Sequence, residues 1–162
     1  RGSSDSLCRE CTPPRMSPES LEADLHEQIP LSRHMGVAVQ HLDDSGIRLC
    51  APLVANINHQ GTIFAGSASA VAMLAGWSLV HVRLRERSDS AKLVIRRNDV
   101  QFFRPMNGDA EAWCGSPDPE AWDAFYAGLA ERGQGRIELV VELSSAGEPA
   151  ATFRGEYAAV RS

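Results

Sequence analysis

The sequence predicts an α+β fold in which one curled antiparallel sheet wraps around a single long helix. Residues 68–82 form an apolar run without any Asp, Glu, Lys or Arg, which is typical of a helix at the centre of a core. Six other segments show the alternation of strands, and most are joined by short turns, which favour antiparallel pairing. No other helical segment is apolar enough to lie against the concave face of such a sheet.

Length and charge limit the classes of protein to consider. The 162 residues fit one domain with its own core. The formal net charge is −5, with acidic and basic residues mixed along the chain, so we expect neither a nucleic-acid partner nor a membrane partner. The chain shows no signal peptide and needs no disulfides, which indicates a cytoplasmic protein.

The apolar run is close to the minimum length of a membrane span. It contains Gly76, Ser78 and His81, however, and no targeting pattern precedes it. We therefore interpret it as the buried central helix of a core.

The first residues and the first helix are predicted from local signals. Residues 1–16 lack periodicity and are expected to form a disordered tail or linker, and the folded domain is expected over residues 17–162. Ser17 and Pro18 suit the cap and the first position of a helix, and Pro30 is expected to end that helix.

A hairpin is predicted next. A period of two begins at Met35, turn residues occupy positions 43–46, and a second extended segment covers residues 47–53. The hairpin is followed by a polar loop at residues 56–67, which leads directly into the predicted central helix.

The elements after the central helix complete the sheet. Residues 92–103 are predicted to form a long strand with Leu93 and Ile95 on one face and Val94 on the other. An amphipathic helix over residues 120–131 is expected to end at Gly133. Further strands are predicted at residues 110–114, 135–143 and 152–160.

Cysteine and histidine spacing gives no support for a metal site. Cys8 and Cys11 have the spacing of a metal or redox pair, but no second pair follows them. We expect them, with Cys50 and Cys114, to be ordinary reduced cysteines. The histidines do not show zinc-like spacing with a third ligand. No cofactor and no metal are therefore expected.

The polar loop carries the candidate functional groups. The amides of Ala65 and Gly66 lie where the loop becomes the central helix, and unpaired amides at a helix start favour negative charge. Gly61 and Gly66 allow the backbone to approach a ligand closely; the alternative is that they are turn glycines only. Ser67 has no nucleophile-elbow context, so helix capping is the better interpretation of its hydroxyl.

Three groups of residues resemble the hotdog-fold thioesterase superfamily, in which a long helix lies inside a curled antiparallel sheet. The closest resemblance is to the YiiD-type putative thioesterase domain, and with the compatible element order it covers residues 17–161. The matching residues are Pro52-Leu53, Asn56-x-Asn58-His59-x-Gly61-Thr62-x-Phe64-Ala65-Gly66-Ser67 and Leu74-Ala75-Gly76-Trp77. The resemblance implies a thioester hydrolase with the hotdog fold.

The resemblance also implies how the protein assembles and what it binds. It would form a homodimer, or a dimer of dimers, with sheets joined edge to edge. Two active sites would each lie between the loop of one subunit and a strand of the other. The implied substrates are acyl thioesters of coenzyme A or acyl carrier protein, with the acyl chain in a tunnel beside the central helix.

The loop can be compared with that of the phenylacetate-type acyl-CoA thioesterases. Asn58 takes the place of the family's Asn, Phe64 stands where the family has His, and Ala65-Gly66 stand where it has two glycines. The resemblance implies that Asn58 positions water or the thioester carbonyl; the alternative is that its side chain only closes its own loop. The implied oxyanion and substrate-binding residues are Gly61, Thr62, Ala65, Gly66 and Ser67.

One residue of that family's site is missing. Its acidic residue on the central helix would fall at Met73, and the helix has no carboxylate before Glu86. Asp99 is the first candidate to replace it, because the corresponding strand of the fold borders the partner's helix; the alternative is a charge on the solvated face of that strand. His59 is the second candidate base, and the alternative is that its ring only satisfies buried backbone groups.

Two other functions remain open. The missing helix acid is compatible with a non-catalytic acyl-thioester binding or dimerisation module. A hotdog dehydratase would pair a loop His with a helix acid, but His59 is one residue away from that spacing and the acid is again absent. Hydrolysis is therefore favoured over dehydration.

Overall fold

The computed structural model describes residues 14–161, and its six strands form one antiparallel sheet that curls around a long helix. The helices are α1 (Pro18–Gln28), α2 (Pro30–His34), α3 (Leu53–Asn56), α4 (Ala65–Glu86) and α5 (Pro119–Arg132). The strands are β1 (Ala38–Asp43), β2 (Gly46–Ala51), β3 (Lys92–Phe102), β4 (Ala110–Gly115), β5 (Gln134–Ser145) and β6 (Glu148–Val160). The predicted fold class is confirmed.

The strand order in the sheet is β1-β2-β4-β5-β6-β3, and all neighbouring strands are antiparallel. Short turns join β1 to β2 and β5 to β6. The strands β3 and β4 follow each other in the chain but do not pair, since β4 lies between β2 and β5 whereas β3 lies at the edge beside β6. In the described part of the chain, one side of β3 therefore has no neighbouring strand.

The central helix α4 fills the concave side of the sheet. Eleven of its 22 residues are buried, and it contacts every strand except β1 closely. By length and composition alone α4 could cross a membrane, but its apolar surface forms the core of this domain. Each fully buried Leu or Val side chain contributes roughly 1.5–3 kcal/mol.

One side chain of the sheet is locked to the middle of α4. The Tyr157 hydroxyl on β6 donates a hydrogen bond to the Met73 carbonyl at 2.8 Å. Burial raises the pKa of Tyr157 far above its usual range, so the hydroxyl stays a neutral donor. A Cβ atom at Gly76 would lie 2.3 Å from the Tyr157 hydroxyl oxygen. Glycine at this position therefore allows the tyrosine ring to reach the helix backbone.

The predicted ends of two helices are confirmed. Ser17 caps α1, and its hydroxyl accepts a hydrogen bond from the Ser20 amide at 3.1 Å. Gly133 ends α5 in the left-handed conformation with φ of 68°, which glycine adopts without strain. Residues 1–13 of the predicted tail lie outside the described residues.

Three element boundaries differ from the prediction. Pro30 begins the second short helix α2, because proline suits the first position of a helix as well as the position after one. The extended segment before the loop stops at Ala51, and α3 begins at Leu53. The helix α4 begins at Ala65, three residues before the predicted apolar run. The amides of Ala65 and Gly66 therefore belong to its first turn.

Candidate active site

The loop between α3 and α4 is folded around the side chain of Asn58. Its Nδ2 atom donates to the Thr62 hydroxyl at 2.9 Å and to the Ile63 carbonyl at 3.3 Å. Its Oδ1 atom accepts from the amides of Gln60 at 2.9 Å and Thr62 at 3.2 Å. An asparagine side chain has two donor hydrogens and two acceptor lone pairs, so these four bonds use its full capacity. Asn58 closes its own loop, which was the alternative interpretation.

A second asparagine ties this loop to the scaffold. Asn56 is buried, and its Nδ2 atom donates to the carbonyls of Met35 and Pro52, both at 2.8 Å. The Asn56 carbonyl accepts from the Phe64 amide at 2.7 Å. The Oδ1 atom of Asn56 is buried without a hydrogen-bond partner among the described residues. Both ends of the loop are therefore held by one residue.

The first turn of α4 presents free amides. Phe64 is the N-cap residue and provides no side-chain cap, and the first intrahelical bond runs from the Ala68 amide to the Phe64 carbonyl at 3.0 Å. The amides of Ala65, Gly66 and Ser67 have no partner among the described residues, and Ala65 and Gly66 are exposed. Donors at the positive end of a helix attract an anionic oxygen. Ser67 lies inside the helix and does not cap it.

One face of α4 is not covered by the sheet. Gly66, Ala70, Met73 and Trp77 are spaced by three or four residues and are all at least partly exposed, so they form one stripe. Three residues of this stripe, Ala70, Met73 and Trp77, line an apolar cavity of about 220 Å³. The cavity is lined by Ile29, Leu31, Ser32, Met35, Ala70, Met73, Leu74, Trp77, Ile95 and Tyr157. Met73, at the position of the missing acid, therefore lines an apolar space.

A bulge in β3 decides which side chains of this strand face the helix. Ile95 lies opposite Tyr157 and shares its inward face, but the register shifts between Ile95 and Arg97. Beyond the shift, Asn98 lies opposite Gly155 and Asp99 lies opposite Arg154. Since directly opposed residues share a face, Asn98 takes the helix side and Asp99 the outer side.

Asn98 was missed by sequence reasoning for this reason. Simple alternation from Leu93 and Ile95 assigns the helix side to Asp99, and one extra residue at a bulge reverses that assignment. Both Asn98 and Asp99 are exposed. In the sequence, only the run of charged and polar residues at positions 96–99 indicated that the strand's alternation could change there.

His59 lies at the tip of the loop. Its side chain is exposed, and it makes no hydrogen bond to any described residue. It therefore does not satisfy buried backbone groups, and it is free to contact a ligand. Asp99, by contrast, lies on the outer face of β3, opposite Arg154.

A second cavity of about 380 Å³ opens beside the loop and the end of β3. Its lining includes Thr62 and Ala65 from the loop and the helix start, together with Phe102 and Phe103. Phe64, Phe102 and Phe103 are 56%, 46% and 60% exposed, which is unusual for phenylalanine. This cavity opens from the surface beside Ala65, the first residue of α4.

Metal and thiol chemistry find no support in the described residues. Within residues 14–161 no group of His, Cys, Asp and Glu could hold a metal ion. Cys50 and Cys114 are free thiols, and burial raises the pKa of Cys114 to about 12, so this thiol is unreactive. Cys8 and Cys11 lie outside the described residues.

The family follows from a comparison with known protein families. Residues 18–161 match the family model described as putative thioesterase, the YiiD C-terminal domain. The chain belongs to this family. The resemblance seen in the loop and in α4 is thus confirmed over nearly all of the described chain, and it indicates a thioesterase-type function.

Solved structures share the fold of this thioesterase. A protein of unknown function from Chlorobaculum tepidum has a TM-score of 0.86 and 25% identity, covering 91% of this chain and 99% of that one. A putative thioesterase from Shewanella oneidensis has a TM-score of 0.76 and 26% identity, covering 89% and 97%. A probable thioesterase from Pseudomonas aeruginosa has a TM-score of 0.76 and 24% identity, covering 90% and 96%.

Replacing Asn58 tests its role in the loop. Asn58→Ala removes four hydrogen bonds and should lower the free energy of unfolding by about 1–3 kcal/mol, because backbone donors of the loop lose their partner. Asn58→Asp retains both acceptor bonds and should cost less. Urea denaturation measures both changes. A fully stable Asn58→Ala protein would show instead that the side chain is not needed to close the loop.

Proposed function

We propose that this thioesterase hydrolyses acyl thioesters of coenzyme A or acyl carrier protein at the start of α4. The supporting observation is that free amides begin α4 and that an apolar cavity borders the same helix from Ala70 to Trp77. The amides of Ala65 and Gly66 can stabilise the negative oxygen that forms when water attacks the thioester carbonyl. The cavity beside Ala70 and Met73 can hold the acyl chain.

The loop contributes to the proposed reaction by its shape. Asn58 holds Thr62 in place, and Gly61 adopts a φ of 78° with no atom near its Cβ position. This turn leaves open space beside Thr62 and Ala65 at the mouth of the site. Preorganised donors stabilise a transition state without having to reorient during the reaction. The backbone amide of Ser67 is the third free donor in this first turn.

Activation of water requires a base, and we favour His59 over Asp99. The His59 side chain is exposed on the same loop as the oxyanion amides, whereas Asp99 belongs to the outer face of β3. In this mechanism His59 takes a proton from the attacking water. The tetrahedral intermediate then collapses, the C–S bond breaks, and the same proton can pass to the departing thiolate. Asn98, on the helix side of β3, would orient the water by hydrogen bonding.

The site is proposed to be completed by a second copy of the chain. The strand β3 has eleven residues and an edge without a neighbouring strand in the described chain. Long exposed edges with apolar side chains promote pairing with another strand. Joining two β3 edges about a two-fold axis would extend the sheet and cover Phe102 and Phe103. It would also bring the β3 strand of each subunit close to the helix α4 of the other.

A second candidate function is an acyl-thioester binding module without catalysis. Two observations favour it: the Asn58 side chain has no free hydrogen-bonding capacity, and Met73 replaces the acid on α4. Such a module would bind acyl thioesters at the same place. Saturable binding without release of free thiol would distinguish it from a hydrolase.

The oxyanion role can be tested by removing one backbone amide. Ala65→Pro deletes the Ala65 N–H at the first helical position, where proline is tolerated, and the extended Phe64 (φ −60°, ψ 130°) is compatible with a following proline. We expect kcat for acyl-CoA hydrolysis to fall about 100-fold or more. Ala65→Ser keeps the amide and should remain close to wild type. Equal activities of both variants would exclude this amide from catalysis.

The base can be identified from three separate substitutions, one in the loop and two in β3. His59→Gln should reduce kcat by about 100-fold or more, the usual contribution of a general base, while Asp99→Asn should have little effect. Asn98→Ala should give an intermediate loss. Release of thiol from acyl-CoA, followed with a chromogenic thiol reagent, measures all three. If Asp99→Asn abolishes turnover and His59→Gln does not, the assignment is reversed.

Light scattering tests the proposed assembly. The protein should behave as a particle of twice the 17.6 kDa chain mass, or four times that mass as a dimer of dimers. Phe102→Lys puts a charge at the end of the β3 edge in both copies and should shift the protein toward the monomer. Glu120→Lys on α5 is the control and should not change the mass. A monomeric wild-type protein would contradict the shared site.

A further inference from the structure

Beyond Trp77, the same face of α4 borders a further pocket, which is distinct from the apolar cavity and from the cavity beside the loop. This pocket of about 680 Å³ lies beyond Trp77, between the end of α4 and the start of β3. Its lining combines apolar residues such as Leu84 and Leu93 with the charged Arg85 and Lys92. In the described part of the chain, Trp77 is the one residue that lines both spaces. The indole therefore lies between the apolar cavity and this mixed apolar and charged pocket.

The indole of Trp77 is held in this position by its neighbours. The His81 ring stacks on it with a centroid distance of 4.6 Å and an interplanar angle of 13°. The Nε2 atom of His81 lies 3.6 Å from a carboxylate oxygen of Asp24 on α1, which is too long for a hydrogen bond. Burial lowers the pKa of His81, so the ring that stacks on Trp77 is mostly neutral at pH 7. Displacing the Trp77 indole therefore also requires disrupting its stacking on the His81 ring.

We propose that Trp77 is the end wall of the acyl-binding site and sets the longest acyl chain that this protein accepts. The inference rests on the proposed function, because it takes the thioester carbonyl to lie at the amides of Ala65 and Gly66. Gly66, Ala70, Met73 and Trp77 share one face of the helix. A chain that starts at Gly66 and follows this face therefore ends against the indole.

The position of Trp77 gives an approximate length limit. Trp77 follows Gly66 by eleven residues, which corresponds to about 16 Å along the helix axis. An extended chain advances about 1.2 Å per bond. Subtracting one contact distance of about 4 Å at the indole leaves roughly 12 Å, which holds roughly ten carbons. Shorter and straight apolar chains fit within this limit, and longer chains would have to displace the indole.

Binding of S-alkyl coenzyme A thioethers tests the inference without requiring turnover. Isothermal titration calorimetry with a series of unbranched alkyl chains should show affinity rising roughly fourfold with each added methylene, up to about ten carbons. Beyond that length the affinity should stop rising. In Trp77→Ala the rise should continue to longer chains, because the cavity then joins the pocket beside Leu84 and Leu93.

Two further variants serve as controls. Trp113→Ala removes a tryptophan of β4, which contacts Arg48 and His41, and it should leave the length limit unchanged. Ala70→Leu fills the cavity one helical turn after Gly66 and should shorten the limit. This variant tests the inference even if Trp77→Ala fails to fold.

Several outcomes would overturn the inference. A wild-type protein that binds no member of the series would do so, as would an unchanged length limit in both Trp77→Ala and Ala70→Leu. Failure of the proposed function looks different. A protein that binds the thioethers with the expected length limit but releases no thiol from acyl-CoA would refute hydrolysis, while the role of Trp77 would stand.

Discussion

The burial of α4 against the sheet is the constraint on which the rest of the structure depends. A carboxylate in the middle of this helix would face either the sheet or an apolar cavity, and removing an ion from water costs several kcal/mol unless it is paired. The helix therefore offers two kinds of binding surface only: the free amides of its first turn and its apolar open face. Any acid or base must come from the loop before α4 or from β3.

The loop before α4 holds in place the free amides of the first helical turn, which are the proposed oxyanion donors. Asn58 uses all four of its hydrogen-bonding positions within the loop, and Asn56 fastens both ends to the scaffold. In the proposed reaction these asparagines act through the backbone that they hold.

The bulge of β3 links sheet geometry to the chemistry of the site. An extra residue near Arg96 reverses the faces of the strand, so Asn98 and Val100 follow Ile95 on the helix side. The outer face then carries Asp99 beside Arg154, where a charge is well hydrated. A neutral amide on the helix side is compatible with an apolar cavity, whereas an unpaired carboxylate there would raise the energy of the folded protein.

Periodicity, turn residues and one family motif in the sequence determined the fold class, the order of the main elements and the thioesterase family. These are local properties, and the uncharged run at residues 68–82 was sufficient to identify the core helix. Only the tertiary structure decided that β3 lies at an open edge, that the Asn58 side chain makes all its hydrogen bonds within its loop, and that Trp77 lines two pockets. Strand order, bulges and cavities depend on residues far apart in the chain, so no local pattern encodes them.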